Sequence, residues 1–121
     1  MIIETEKGSF EVDLYDSDAA RELVKNLPQE ISMSRWGDEF YGSLNNKVEC
    51  GGDSLRDVFE IGEVAIWPDG NAFCIFFGPT PASRGEEPRM ISPGAGVGKI
   101  KGDSVLFRDF GTSLKNVKLR P

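Results

Sequence analysis

The run Ala72-Phe73-Cys74-Ile75-Phe76-Phe77 constrains the fold of this chain more than any other segment. These six apolar residues stand between the turn residues Pro68-Asp69-Gly70-Asn71 and Gly78-Pro79, which is the length of a strand and too short for a helix. The run does not alternate between apolar and polar residues, so both of its faces must be covered. It therefore predicts a central strand between two layers, or a strand of a closed barrel whose outer face is also occupied.

Other segments alternate as half-buried strands do. In residues 9–15, Phe10, Val12 and Leu14 share one face, while Glu11 and Asp13 share the other. Turn residues separate the remaining apolar segments. Further strands are predicted at 1–6, 31–36, 39–44, 63–67, 97–101, 104–107 and 113–119.

One segment has the period of a helix. Ala20, Leu23, Val24 and Leu27 fall at i, i+3, i+4 and i+7, with Asp16 or Ser17 available as N-cap and Pro28 at the end. The sequence therefore predicts one amphipathic helix at about 17–27. We expect it to cover an open end of the structure that the strands build.

Composition narrows the function. The chain has no histidine, which excludes Ser-His-Asp and Cys-His catalysis. Its two cysteines, Cys50 and Cys74, are too far apart for a CxxC pair, so we expect no metal site and no cofactor. The sequence leaves open whether they are free or paired, and Cys74 is interpreted as a buried small hydrophobe. A net charge of −6 argues against nucleic acid or an anionic membrane surface as a partner.

The chain has the features of a single cytoplasmic domain. Its opening residues do not form a signal sequence, and no apolar run approaches the ~18 residues of a membrane span. The length of 121 residues suits one hydrophobic core. We therefore expect a cytoplasmic protein with a single domain over residues 1–121.

Two features that resemble functional motifs have simpler interpretations. The glycine-rich segment Gly94 to Gly98 is not followed by the helix that a phosphate-binding loop needs, so it is interpreted as a turn. The glycine-rich segment overlaps the end of the stretch 78–96, whose four glycines and four prolines predict a long irregular loop. The pairs Asp38-Glu39 and Glu86-Glu87 send neighbouring carboxylates to opposite faces of a strand, and they are interpreted as solvated turns.

Arg35 is the residue with the strongest indication of chemistry. Alternation places it on the same face as the apolar Ile31 and Met33. Its guanidinium group either extends past the apolar surface to water or is held over that surface to contact a ligand. The choice depends on whether Arg35 lies beside an open apolar pocket or is neutralised by a carboxylate such as Glu39 or Glu63.

Three blocks, in this order and over nearly the whole chain, resemble the cyclophilins, and most closely the small prokaryotic cyclophilin-like proteins. They are Gly8 to Asp16 followed by a helix, Gly62 to Gly78 with its Phe-Phe strand, and Val97 to Gly102. The segment Met33 to Gly42 is also similar to the prokaryotic group. The resemblance implies a mainly β fold: a small closed eight-stranded cyclophilin-like β-barrel with one α-helix.

The resemblance also implies a site. Arg35 would be the catalytic residue, and Phe40 and Tyr41 have the spacing of two apolar pocket residues that follow it. Phe77 is the counterpart of the second phenylalanine of the Phe-Phe strand, and Ser43 replaces the pocket glutamine of cyclophilins. The tryptophan and histidine of the cyclophilin loop have no counterpart between Gly78 and Gly98. The implied ligand pocket consists of Met33, Phe40, Tyr41, Ser43 and Phe77.

Prolyl isomerisation needs no proton transfer, because a guanidinium group can stabilise the twisted imide while an apolar pocket holds the proline ring. The missing histidine therefore leaves this reaction open, whereas the missing loop residues argue against it. We predict binding of proline-containing or extended peptides, with weak or no peptidyl-prolyl cis-trans isomerase activity. The alternatives are a metabolic or regulatory small-molecule binder with its pocket under residues 78–96, and a subunit that associates through exposed aromatic residues such as Trp36.

Overall fold

The computed structural model describes residues Met1–Pro121. The chain forms nine strands, one α-helix and two 3-10 segments. The strands are β1 (Ile2–Thr5), β2 (Gly8–Leu14), β3 (Gln29–Arg35), β4 (Glu39–Ser43), β5 (Arg56–Val58), β6 (Glu63–Trp67), β7 (Ala72–Phe76), β8 (Arg89–Ile100) and β9 (Ser113–Arg120). The helix α1 is Asp18–Lys25, and the 3-10 segments are Pro68–Gly70 and Ser104–Asp109.

Eight of the nine strands close into a ring. Antiparallel pairing runs from β2 through β1, β9, β3, β4, β7 and β6 to β8, and β8 pairs in turn with β2 through Val12, Asp13 and Leu14. The remaining strand, β5, lies outside the ring and pairs with β8. Closure pairs the strand edges that would otherwise template aggregation. The predicted mainly β fold, with an eight-stranded closed architecture and one helix, is confirmed.

The apolar strand β7 is covered on both faces, as its sequence predicts. Phe73, Ile75 and the following Phe77 face the core inside the ring. On the opposite face, Cys74 and Phe76 belong to a second cluster, which also contains Phe59, Ala65 and Met90. The first half of β8 and the strand β5 lie over this outer face, so the ring carries a partial second layer there.

Helix α1 is held at its N-terminus by two side chains. The Ser17 hydroxyl accepts a hydrogen bond from the backbone N–H of Ala20 at 3.1 Å. The Asp53 carboxylate accepts from the backbone N–H groups of Asp18 and Ala19 at 2.8 and 2.9 Å. The helix is shorter than the predicted 17–27, because the residue before a proline disfavours helical geometry and Pro28 limits its end. No helix of the structure has the length and apolar character needed to cross a membrane.

Two predictions for the C-terminal third are wrong. Residues 104–107 form part of a 3-10 segment instead of a strand, with the Asp103 side chain accepting from the backbone N–H of Val105 at its start. The predicted turn at 94–98 lies within β8, which begins at Arg89, so the irregular loop is shorter than 78–96. The glycines of β8 permit close approach: a side chain at Gly98 would collide with the Asp13 carbonyl of β2.

Candidate functional site

The structure divides the predicted site residues between two faces of the ring. Met33, Phe40 and Phe77 are fully buried inside it, and Arg35 lies at the end of the same interior face. Tyr41 and Ser43 alternate with Phe40 and Gly42 along β4, so their side chains project from the outer face. The six residues therefore do not line one pocket. Their assignment to ligand binding stays a prediction.

The guanidinium group of Arg35 is engaged by the protein itself. Its Nε donates to the carbonyl of Gly37 at 2.8 Å, and its Nη1 donates to the carbonyl of Arg108 at 2.8 Å. Its Nη2 pairs with Asp38 at 2.9 Å, so the neutralising carboxylate is neither Glu39 nor Glu63. The group lies 5.1 Å from the centre of the Phe77 ring. Arg35 thus joins the 3-10 segment at Ser104–Asp109 to the end of the ring.

Phe107 fills the space beside the buried pocket residues. Its ring centre lies 5.9 Å from that of Phe77 and 6.2 Å from that of Phe40. On its other side it packs against Phe10 at 4.5 Å and Phe110 at 4.9 Å. The side chain is completely buried. The interior beside Phe40 and Phe77 is therefore filled by another phenylalanine of this chain.

An open groove lies on the outer face of β4, β7 and β6. We call it the outer groove, and it has a volume of about 380 Å³. Cys74 of β7 stands in register between Tyr41 of β4 and Ala65 of β6, so small side chains separate the larger ones on either side. Strands two positions apart are about 10 Å apart, which leaves room for a side chain or a small molecule. The residues that line the outer groove are Trp36, Glu39, Tyr41, Trp67, Met90 and Ile91.

The Trp67 wall of the outer groove is fixed by hydrogen bonds. The indole Nε1 donates to the Ser92 hydroxyl at 2.7 Å, and that hydroxyl donates to the Asp69 carboxylate at 2.6 Å. The indole ring also lies against Gly70, where any side chain would collide with it. A tryptophan held in this way presents its apolar ring in one orientation.

The part of β8 that carries Met90 is held by ion pairs around β5. Arg89, next to Met90, pairs with Asp57 at 2.8 Å. Arg56 donates to both oxygens of the buried Glu63, at 3.1 and 2.6 Å. Tyr15 also donates to Glu63, at 2.9 Å, and the pKa of Tyr15 is raised to about 12 by burial and by this hydrogen bond to a carboxylate. These contacts anchor β5, and through it the first half of β8, to the ring.

Glu39 lies at the base of the outer groove. Its side chain is only 4% exposed, and burial raises its pKa from the usual 4.5 to about 7. The hydrogen bond from the Cys74 thiol lowers the pKa of Glu39 and so offsets part of the rise. Glu39 forms no ion pair. The interpretation of Asp38-Glu39 as a solvated turn is therefore wrong for both residues, since Asp38 pairs with Arg35. The two side chains do point in different directions, with Asp38 on Arg35 and Glu39 in the outer groove.

Few features of the sequence indicated the outer groove. Trp36 and Trp67 stood out as aromatic residues. That both line one groove depends on the pairing of β4, β7 and β6 and on the path of residues 89–92 over the outer face. The signal that was available is the pair of small residues Cys74 and Ala65 among large apolar ones. Elsewhere, Cys50 and Cys74 are free, with Cys74 buried as predicted. No group of three His, Cys, Asp or Glu side chains is arranged to hold a metal ion.

A closed eight-stranded ring with one short helix defines a class of small β proteins. The family model described as cyclophilin-like matches residues 1–120, and the chain belongs to this cyclophilin-like family. Among solved structures, it is similar to the solution structure of the hypothetical protein AF2241 from Archaeoglobus fulgidus. The two share 29% sequence identity with a TM-score of 0.74 over 99% of this chain and 92% of that one. No curated protein sequence matches the chain at a significant level.

Proposed function

We propose that this protein is a binding module that takes a proline-containing, extended peptide in the outer groove, with little or no prolyl isomerase activity. The observation that carries the proposal is a contrast between two places in the fold. The outer groove is open and has three aromatic walls, Trp36, Tyr41 and Trp67. The interior position beside Phe77 is filled by Phe107.

The chemistry of the outer groove suits a proline-rich segment. Such segments are already extended before they bind, so docking them costs little conformational entropy, and they are commonly held by aromatic-lined grooves. Tryptophan and tyrosine offer broad apolar faces against which a proline ring can pack. Met90 and Ile91 add an apolar side to the same groove.

The state of Arg35 argues against efficient isomerisation. Catalysis requires a donor that bonds more strongly to the twisted imide than to the planar one. Arg35 already donates to Gly37 and Arg108 and pairs with Asp38. Freeing the guanidinium group for a substrate would break these contacts, so we expect at most a small increase in isomerisation rate.

The test uses the two tryptophans of the chain, both of which line the outer groove. A proline-rich peptide titrated into the protein is expected to change their fluorescence and to shift NMR signals of β4 and β6. Tyr41→Ala should weaken the effect, whereas Leu106→Ala, at an exposed apolar position outside the groove, should leave it unchanged. Absence of any response to proline-rich peptides would refute the proposal. Exchange NMR on a short Xaa-Pro peptide measures the isomerisation rate in the same samples.

A small-molecule ligand is the second candidate, and the size of the groove favours it. A volume of about 380 Å³ lies within the range of small-ligand pockets, and two of its walls, Met90 and Ile91, belong to the stretch 78–96. A thermal-shift screen of metabolites tests this candidate, since a ligand at 100 times its Kd stabilises the fold by about 2.7 kcal/mol. A hit whose effect is lost in Tyr41→Ala would favour it over the peptide.

We also propose that the protein is a cytoplasmic one of prokaryotic origin. Two free thiols, Cys50 and Cys74, fit a reducing compartment, and the similar solved structure is archaeal. Fractionation of cells that produce the protein tests the location.

A further inference from the structure

The carboxyl group of Glu39 is buried without a charged partner. It belongs to β4, opposite Phe76 of β7, and it is 4% exposed. Around it stand Trp36, Tyr41 and Trp67 together with Met90 and Ile91, none of which carries a charge. Every side-chain nitrogen or oxygen atom of the protein that is sealed from solvent has a hydrogen-bond partner. The carboxyl oxygens of Glu39 are therefore accessible from the outer groove.

A carboxyl group in this position is unfavourable for the fold. Burial of a polar group without a full set of partners destabilises the folded state, and an isolated ionised carboxylate does so more strongly. A leucine or methionine would complete the apolar cluster of Phe76 and Met90 without that cost. A ligand that brings the missing positive charge would remove the penalty.

The aromatic walls point to the same kind of ligand. The faces of tryptophan and tyrosine rings attract ammonium groups, and the attraction is stronger where the site is desolvated. Trp36, Tyr41 and Trp67 line the same groove as Glu39. The chain as a whole carries a net charge of −6, which favours the approach of a cation over that of an anion.

We propose that the outer groove recognises the ammonium group of a lysine side chain in the bound peptide, with Glu39 as its counter-ion and the aromatic rings around its methylene groups. The proposal rests on the proposed function, because the lysine must come with the peptide that fills the groove. The peptide then combines a proline against the aromatic walls with a lysine directed to the base.

The proton balance gives this recognition a pH dependence. The titratable side chains that face Glu39 are Cys74 of β7 and Tyr41 of β4. Burial raises the pKa of the Cys74 thiol well above its usual value. The walls from β6 and β8 contribute no charged group. Since the pKa of Glu39 in the free protein is about 7, a bound ammonium group lowers it and releases a proton at neutral pH. Affinity for a lysine peptide therefore rises as the pH rises through 7.

The experiment compares three ligands at pH 8 by calorimetry. They are a proline-lysine-proline peptide, the same peptide with norleucine in place of lysine, and n-butylammonium alone. The lysine peptide is expected to bind about tenfold more tightly than the norleucine peptide, and n-butylammonium about tenfold more weakly than the lysine peptide because it lacks the proline contacts. At pH 7 the lysine peptide should release about half a proton, seen as a dependence of the heat on the buffer.

Two variants separate this proposal from the previous one. Glu39→Gln should bind both peptides equally and release no proton, whereas Glu86→Gln, an exposed carboxylate on the loop, should retain the preference for lysine. Equal affinity of the unmodified protein for both peptides would overturn the lysine proposal and leave peptide binding intact. Failure of both peptides to bind would overturn the proposed function. Binding of n-butylammonium as tight as that of the lysine peptide would show that the ligand is a free amine.

Discussion

The ring centre of Phe107 lies 5.9 Å from the ring centre of Phe77, at an interplanar angle of 29°. Phe77 is the residue that the cyclophilin resemblance places in the ligand pocket, and Phe107 comes from the 3-10 segment that crosses the end of the ring. The space beside Phe77 is thus filled by a residue of the core. Catalysis in the interior would require this segment to move.

Phe107→Ala is expected to destabilise the protein by about 3–5 kcal/mol, because removing a fully buried ring leaves a cavity among Phe10, Phe40 and Phe77. Urea unfolding measures the change. Leu106→Ala is the matched control on the same segment, and at an exposed position it should cost less than about 1 kcal/mol. Similar losses for the two variants would mean that Phe107 is not packed in the interior.

Arg35→Lys should loosen the 3-10 segment, since a lysine lacks the planar fork that reaches Gly37, Arg108 and Asp38 together. We expect a loss of about 1–3 kcal/mol in unfolding free energy and faster hydrogen exchange at the Phe110 amide, which is bonded to Phe107. Arg21→Lys on the exposed face of α1 serves as control. Unchanged exchange over residues 104–111 would contradict the anchoring role of Arg35.

The pKa of Glu39 predicts a loss of stability on the alkaline side. In the folded protein it is raised from 4.5 to about 7, so the folded state binds the proton more tightly than the unfolded chain does. This contribution is fully present below pH 4.5 and is lost as the pH rises through 7. Over this pH range the contribution of Glu39 to the free energy of unfolding changes by a total of the order of 3 kcal/mol. Urea unfolding between pH 4 and 8 should show this slope in the unmodified protein.

Glu39→Gln should abolish that part of the slope, because glutamine does not titrate, and should be the more stable form at pH 8. Glu86→Gln provides a control at an exposed carboxylate. Parallel stability profiles for the unmodified protein and Glu39→Gln would show that Glu39 titrates normally and has access to water.

Glu63→Gln should lower the pKa of Tyr15 from about 12, because the hydrogen-bonded carboxylate is one cause of the rise. The pKa should stay above 10, since burial, the larger cause, remains. Absorbance titration in a Tyr41→Phe background reports Tyr15 alone, as the chain has two tyrosines. A pKa that does not move would place the carboxylate out of reach of the phenol. The same variant should also loosen β5, because Arg56 loses its ionic partner.

Local patterns in the sequence were sufficient to predict most of the fold. The doubly apolar run at Ala72–Phe76 indicated a strand covered on both sides, and the i, i+3, i+4 pattern around Leu23 indicated α1. Both depend on residues close in the chain. Alternation and turn residues indicated most of the other strands in the same way, but β5 was not predicted, and residues 104–107 form a 3-10 segment instead of the predicted strand.

The candidate site was harder to predict because it depends on contacts between distant residues. Phe107 reaches Phe77 across 30 positions of sequence, in a segment whose apolar residues fit a strand as well as a 3-10 turn. Glu39 looked like part of a solvated turn because nothing nearby in sequence shows that Met90 and Trp67 lie beside it. The glycines of β8 looked like a turn because their neighbours, such as Asp13, are far away in the chain.

The two halves of β8 pair with different strands and contact different parts of the molecule. Gly98 to Ile100 complete the ring with β2, while Arg89 to Gly94 pair with β5 beside the outer groove. Substitutions at Met90 and Ile91 would therefore reshape the outer groove while the pairing that closes the ring stays the same. Over evolutionary time, one half of a single strand can thus change its surface without loss of the fold.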